Sequence, residues 1–285
     1  MILISGASGK TGKTILKSLV QQGKAVRAWV HHEKQREEMI SLGVADVFVG
    51  NLREPSAWQQ AVQGIKRLYF IAPNMSPDED KIGAMAILAS QKVNLEQFVY
   101  HSVLHPQVQD MPHHWLKLRV EEQLFKSGLA FTILQPAAYM QNVLGYWKTI
   151  QEKGLYQIPY SITSKSSMVD LVDVAEVAAK VLSEAGHAFA TYELCGKEPY
   201  SAEDIATIIS DKKGFEVSAA TEDRGRWEKK VRAAGLADYA IETLLKMFAY
   251  YEDYDFIGNG MVLSWLLKRE PASFEDFIDR ELSQE

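Results

Sequence analysis

Three stretches of the chain carry residue types whose spacing points to chemistry. The first is "GASGKTG", where Gly6, Gly9 and Gly12 fall three apart between the apolar run "ILIS" and a segment of helical period. A glycine-rich turn between strand and helix offers backbone N–H groups and a helix N-terminus to a diphosphate. Ser8, Lys10 and Thr11 add donors between the glycines. A plain tight turn would use glycine in the same places, but the strand-turn-helix context favours dinucleotide binding. The second stretch is "WVHHEKQR", which follows the second apolar run. Choice between nicotinamide cofactors is read there, an acidic residue favouring the ribose 2′-hydroxyl and basic ones a 2′-phosphate. His31, His32 and Lys34 stand close to the strand end while Glu33 falls beyond the selecting position, so NADP(H) is expected, with NAD as the alternative. The third is "MPHHWLKLRVEEQ", where His113 and Lys117 share one helix face at i and i+4 and His114 turns about 100° away.

Other chemistries find little support. The adjacent pairs His31, His32 and His113, His114 lack cysteine or carboxylate at the spacing of a zinc site, so no metal is expected, and no G-x-S-x-G elbow occurs. A formal net charge of -6 argues against a nucleic-acid partner. The basic stretch "DRGRWEKKVR", with Arg224, Arg226, Lys229, Lys230 and Arg232 around Trp227, reads as a solvated helix face. The single cysteine, Cys195, lies in the apolar run "TYELCG" and reads as a small buried residue. No apolar run approaches the roughly 18 residues of a membrane span, and "ILIS" begins at residue 2 without a charged leader before it. A cytoplasmic protein with no membrane partner is expected.

The elements that must position these residues alternate through residue 135. Apolar, β-branched runs ("MILIS", "AVRAWV", "DVFVG", "RLYFIAP", "QFVYHSV", "AFTILQP") are separated by helical patterns at 12–22, 34–42, 55–63, 79–92 and 114–127. Repeated βαβ units make an α/β fold, a Rossmann-type doubly wound parallel sheet. Gly23, Gly43 and Gly64 each follow a helical segment, as C-terminal caps do. After Pro136 the rhythm fades. The expected division is a nucleotide-binding domain at 1–150, its sheet completed within about 164–196, and a smaller, mainly helical α+β C-terminal lobe at 151–285 that meets substrate or partner. In that lobe Ser201 and Asp204 open a helix as a capping box, and helices are expected at 223–234 and 238–251.

From the glycine loop onward the sequence resembles the NmrA-like branch of the atypical short-chain dehydrogenase/reductases. The G-x-x-G-x-x-G spacing, "GNLREPSAW", "FIAP", "SVLHP", "KLRVEEQLFKSGLAFTILQPAAYMQN", "VDLVDVAEVAA" and "FIGNGMVLSWLLKREPASFEDF" carry this in order. The resemblance implies a Rossmann-type domain that binds NAD(P) and a lobe that closes over a cleft. Its members include NAD(P)H-dependent reductases of quinones, dyes and phenolic compounds, and regulators that bind the cofactor without turning it over.

By this resemblance Asn51 and Leu52 contact the adenine end, with asparagine where the family usually has aspartate. Ala72, Pro73 and Asn74 are likewise implied in cofactor binding and Pro136 beside the nicotinamide, while Ser102 either takes the place of the family's serine or satisfies backbone at a strand end. Short-chain dehydrogenases typically pair a tyrosine with a lysine four residues on. Lys117 matches that lysine, which holds the ribose, and His113 stands in the tyrosine's place, either as a proton donor or as a polar residue at a helix start. Tyr139 of "QPAAYMQN" is implied beside the substrate, and Tyr250, Tyr251, Tyr254 and Phe256 offer a second aromatic wall. A small aromatic or conjugated acceptor follows from the enzyme reading, and a regulatory partner or a homodimer from the sensing one.

Overall fold

Runs of β-branched and aromatic residues form six strands, all but one half-buried edge strand largely buried, in the computed structural model, which describes residues 1–283. They are β1 (Ile2–Ile4), β2 (Val26–Val30), β3 (Asp46–Val49), β4 (Arg67–Phe70), β5 (Gln97–His101) and β6 (Phe131–Pro136). Five helices alternate with them: α1 (Lys10–Gln21), α2 (Arg36–Ser41), α3 (Pro55–Ala61), α4 (Glu79–Gln91) and α5 (Pro112–Phe125). β1 pairs in parallel with β2 and β4, β2 with β3, β4 with β5, and β5 with β6. The strand Ala190–Leu194 joins β6 and completes a seven-stranded sheet whose far edge is β3. The expected α/β, Rossmann-type parallel sheet is therefore present.

The order reverses between β1 and β4, the point where open α/β sheets leave a crevice beyond the strand ends. Ser5, just after β1, locks the two strand exits together there. Its Oγ donates to the carbonyl of Ile71 at 2.9 Å and accepts from the Ile71 N–H at 2.8 Å.

Helix boundaries moved from their expected places for local reasons. α1 begins at Lys10, inside the glycine loop, and buries Ile15, Leu16 and Leu19 along one stripe. The pattern at 34–42 divides into a short 3-10 turn, Glu33–Gln35, and α2. α5 starts at Pro112, where a missing N–H costs nothing in the first turn. Gly23, Gly43 and Gly64 take φ of 69°, 86° and 73°, the left-handed geometry of helix ends.

One face of the sheet packs on a chain of aromatic rings. Trp29 and Trp58 meet edge to face at 4.5 Å, Phe70 lies 5.6 Å from Trp58, and Tyr100 stacks on Phe70 at 5.5 Å. The two indoles also fix the loop after β3, donating to the carbonyls of Gly50 at 2.9 Å and Leu52 at 2.8 Å.

The chain forms two compact units. The first comprises Met1–Gln107, His113–Gln135 and Val174–Tyr192. The second comprises Val108–Pro112, Pro136–Asp173 and the chain from Glu193 onward. In the second, Met140, Ile150, Ile205, Ile209, Phe274 and Phe277 belong to one apolar core. The expected capping box opens the helix Ala202–Lys213, with Ser201 N–H donating to Asp204 at 2.8 Å. The basic stretch forms the helix Arg224–Ala233, which turns Trp227 inward against Phe248 at 4.9 Å. Cys195 is a buried free thiol. Among the described residues, no helix is long and apolar enough to cross a membrane.

Helices α4 and α5 cross in contact at Gly83. A Cβ added there would stand 2.7 Å from Cγ2 and 2.8 Å from Cγ1 of Val120. Gly83→Ala is therefore expected to destabilise the protein by about 1–3 kcal/mol through overpacking, despite the better helix propensity of alanine. The pair Gly83→Ala with Val120→Ala should recover part of that loss, read from urea midpoints of the single and double variants.

Candidate functional site

The glycine loop is built by backbone crowding that only glycine tolerates. Gly6 has φ of +60°, and its carbonyl accepts the Gly9 N–H at 3.0 Å. A Cβ on Gly12 would stand 2.3 Å from the Gly6 carbonyl oxygen and 2.7 Å from the Ala7 Cα, so α1 packs directly on the loop. Gly9 is the N-cap of α1, with no side chain capping the helix. First-turn N–H groups have no intrahelical partner, and here no side chain takes their place. A glycine turn packed this closely on an uncapped helix start fits a diphosphate. Thr11 is half-buried and Lys10 exposed at this turn.

At the end of β2, His31, His32 and Lys34 are all exposed. Glu33, the acidic residue of this stretch, is taken by the Arg36 guanidinium, which also donates to the Val47 carbonyl at 3.0 Å. Gln35, which the motif reading passed over, ties the region together. Its Oε1 accepts from the N–H groups of His31 at 3.2 Å and His32 at 2.9 Å, and its Nε2 donates to Ser8 Oγ at 2.9 Å. Further along the same unit, Asn51 Oδ1 accepts from the Arg53 N–H at 3.0 Å, closing the turn that presents half-buried Leu52. After β4, Ala72 is buried, Pro73 is half-buried and Asn74 is exposed.

The helix face of His113 and Lys117 points into the first unit. Both residues are 7% exposed. Lys117 Nζ donates to Glu79 Oε1 at 2.6 Å and to the His101 carbonyl at 3.2 Å, and Tyr100 OH donates to the same Glu79 oxygen at 2.9 Å. His113 Nδ1 stands 3.6 Å from Glu79 Oε2. One turn further, Glu121 accepts from Ser102 Oγ and from Gln135 Nε2 at 2.9 Å, so the Ser102 hydroxyl joins α5 to the end of β5. His114 lies on another face and donates from Nδ1 to the Leu104 carbonyl at 2.9 Å.

Burial shapes the protonation of this set. Loss of solvent and the nearby Lys117 ammonium push His113 down to about 2 and His101 down to about 3. Burial lowers His114 to about 4, against the opposing pull of its backbone hydrogen bonds. Burial also raises the Glu121 carboxyl, with Ser102, Gln135 and Lys117 pulling the other way. His113 is consequently a neutral imidazole near pH 7, not an imidazolium.

The second unit holds Pro136, buried at the end of β6, and the half-buried Tyr139. Met140 is core there. The proposed aromatic wall divides. Phe256 is 2% exposed and packs on Tyr251 at 5.1 Å, whereas Tyr254 is 68% exposed and lies 5.0 Å from Tyr250. Among the described residues, no group of three or more His, Cys, Asp or Glu is placed to hold a metal ion.

Sequence reasoning missed Glu79, Tyr100, Gln135 and Gln35. Glu79 sits in the acidic run "PDEDK" with nothing to set it apart, while Glu121 was open to detection through its i, i+4 spacing from Lys117.

Known proteins agree with this architecture. The chain is 27% identical over 252 residues to the NAD(P)H azoreductase of Xenophilus azovorans, covering 87% of this chain and 86% of that protein. The NADPH complex of quinone oxidoreductase QOR2 from Escherichia coli superposes with a TM-score of 0.87 at 22% identity, covering 99% of this chain and 100% of the other. The NADP(H) complex of Citrobacter sp. triphenylmethane reductase gives 0.86 at 20% identity, with 98% and 99% coverage. The NmrA-like family matches residues 1–281. The chain belongs to the NmrA-like family.

Proposed function

We propose that the protein is an NADPH-dependent reductase of a small aromatic or conjugated acceptor such as a quinone or dye, working in the cytoplasm. The observation that supports this reading is the loop at Gly6, Gly9 and Gly12, where α1 packs on the loop backbone so closely that only glycine fits at position 12 and the helix start is left without a side-chain cap, as a diphosphate site requires. The names of the relatives, an azoreductase, a quinone oxidoreductase and a triphenylmethane reductase, support the acceptor class.

In this reading the loop N–H groups, Ser8, Lys10 and Thr11 hold the diphosphate. His31, His32 and Lys34 take the 2′-phosphate, and the pairing of Glu33 with Arg36 removes the carboxylate that would oppose it. Asn51 and Leu52 serve the adenine, and Ala72, Pro73, Asn74, Ser102 and Pro136 the nicotinamide half. The bound nicotinamide supplies hydride. Lys117 holds the ribose with the donor that Glu79 and His101 leave over. Tyr139 is assigned to the acceptor. Hydride reduction of a quinone leaves an oxyanion that needs one proton. His113, neutral by burial, can relay that proton to the oxygen but does not start as its acid.

The test follows NADPH oxidation at the nicotinamide absorbance across quinones, dyes and enones. Turnover is expected with NADPH, and NADPH should bind at least about tenfold more tightly than NADH, as charge-assisted contacts to a 2′-phosphate require. Lys117→Ala should lower kcat/KM by about 10- to 100-fold and His113→Ala by less than about tenfold. Tight cofactor binding with no turnover of any acceptor would sink the reductase reading. It would favour a sensor of NADP(H) that acts through a regulatory partner or a homodimer, which histidine in the tyrosine's place also suits.

The buried histidines set a second expectation. His101, His113 and His114 stay neutral in the folded protein well below the ordinary value of about 6.5, so below pH 6.5 the unfolded chain binds protons that the folded one refuses. Stability is therefore complete above pH 6.5 and falls as the pH drops toward 4, by up to about 1.4 kcal/mol per pH unit for each histidine. Urea unfolding free energies at pH 7.5, 6, 5 and 4.5 measure this slope. His114→Gln, in which the titrating group is gone, should lower it by about a third.

A further inference from the structure

Glu79 is a fully buried carboxylate that no nucleotide-binding pattern requires. Burying an ionised carboxylate against an ammonium rarely stabilises a fold more than apolar packing would. A helix pair such as α4 and α5 could be joined more simply. Glu79 instead gathers the groups that the site uses. Its Oε1 accepts from Tyr100 and Lys117, and its Oε2 has no hydrogen-bond partner among the described residues. That second oxygen faces His113 Nδ1, which has none either, at 3.6 Å.

An ammonium carries three donors. Lys117 directs one to Glu79 at 2.6 Å and one to the His101 carbonyl at 3.2 Å, and with two directions fixed the third is fixed as well. We propose that Glu79 is a positioning residue for Lys117: as its buried counter-ion it holds the ammonium at the end of β5 and aims the one remaining N–H. The inference rests on the assignment of Lys117 to the ribose made above, although the ion pair does not depend on that assignment.

The charged and titratable groups that face Lys117 are Glu79 from α4, Tyr100 and His101 from β5, and His113, His114 and Glu121 from α5. The three histidines are neutral, and Glu121 is engaged by Ser102 and Gln135. Without Glu79 the ammonium loses the carboxylate bonded to it, and a buried ammonium so stripped gives up its proton more readily.

Glu79→Gln keeps the shape and removes the charge, and Glu79→Asp keeps the charge at shorter reach. Acylation of Lys117 by a small amine-reactive reagent, followed by peptide mass spectrometry across pH with no nucleotide present, reads the ammonium directly. In Glu79→Gln, Lys117 should acylate about tenfold faster than in the native protein at pH 8, with Glu79→Asp between the two. In NADPH titrations followed by nicotinamide fluorescence, Glu79→Gln should raise Kd about tenfold, and Lys117→Met likewise. The double variant should lose no more than Lys117→Met alone. Equal acylation profiles in native and Glu79→Gln proteins overturn the proposal, and so do additive losses in the double variant. If acylation shifts as expected while the native protein binds no NADPH, the positioning of Lys117 by Glu79 stands and its assignment to the ribose falls. If Glu79→Gln shows no cooperative thermal transition, Glu79→Asp carries both measurements, with the same directions and smaller changes.

Discussion

Helix α5 turns three polar side chains inward, one per turn, and an interior that penalises every unpartnered polar group constrains most of what surrounds them. His113, Lys117 and Glu121 are each under a tenth exposed. The partners of Lys117 and Glu121 come from three other elements: Glu79 from α4, the His101 carbonyl from β5, and Gln135 from β6. Sliding α5 by one residue would break all of these bonds together. The helix is therefore held in register by its polar face as much as by its apolar one, and the approach of α4 at Gly83 is part of the same requirement.

Charge is distributed differently at the two ends of the first unit. Around Lys117 each charge is buried and answered, so electrostatics there is strong and insensitive to salt. At the end of β2 the basic side chains stay in water, and Glu33 is matched with Arg36. That arrangement suits a polyanion that comes and goes. In the proposed site these exposed side chains would attract it from solution, while the loop at Gly6 to Gly12 would supply the geometry.

What could be read from sequence is what local chemistry dictates. The glycine loop, the helix ends at Gly23, Gly43 and Gly64, and the capping box at Ser201 all depend on residues within a few positions of one another. The alternation of strand and helix likewise followed from periodicity. Glu79 was not legible, because its partner on α5 lies 38 residues away and its own neighbours Asp78 and Asp80 look the same in sequence. The protonation of His113 was illegible for a related reason. Whether an imidazole is buried depends on how α5 docks, and spacing alone left donor and helix-start readings open. In the aromatic run, Tyr251 and Phe256 pack in the core while Tyr254 stays at the surface, a division fixed by helix phase and not by composition.

The hydrogen bonds of Gln35 carry a consequence for redesign. One amide side chain binds the backbone after β2 and the hydroxyl of Ser8 in the glycine loop, so the end of β2 and the loop share a mechanical link. An exchange of coenzyme preference is usually attempted by grafting a few residues after the second strand. If the proposed site holds, such a graft would also cut the strut that steadies the glycine loop, and a lost preference for one coenzyme would arrive together with a weakened hold on both. Substitutions meant to alter selectivity alone are better confined to His31, His32 and Lys34, with Gln35 left in place.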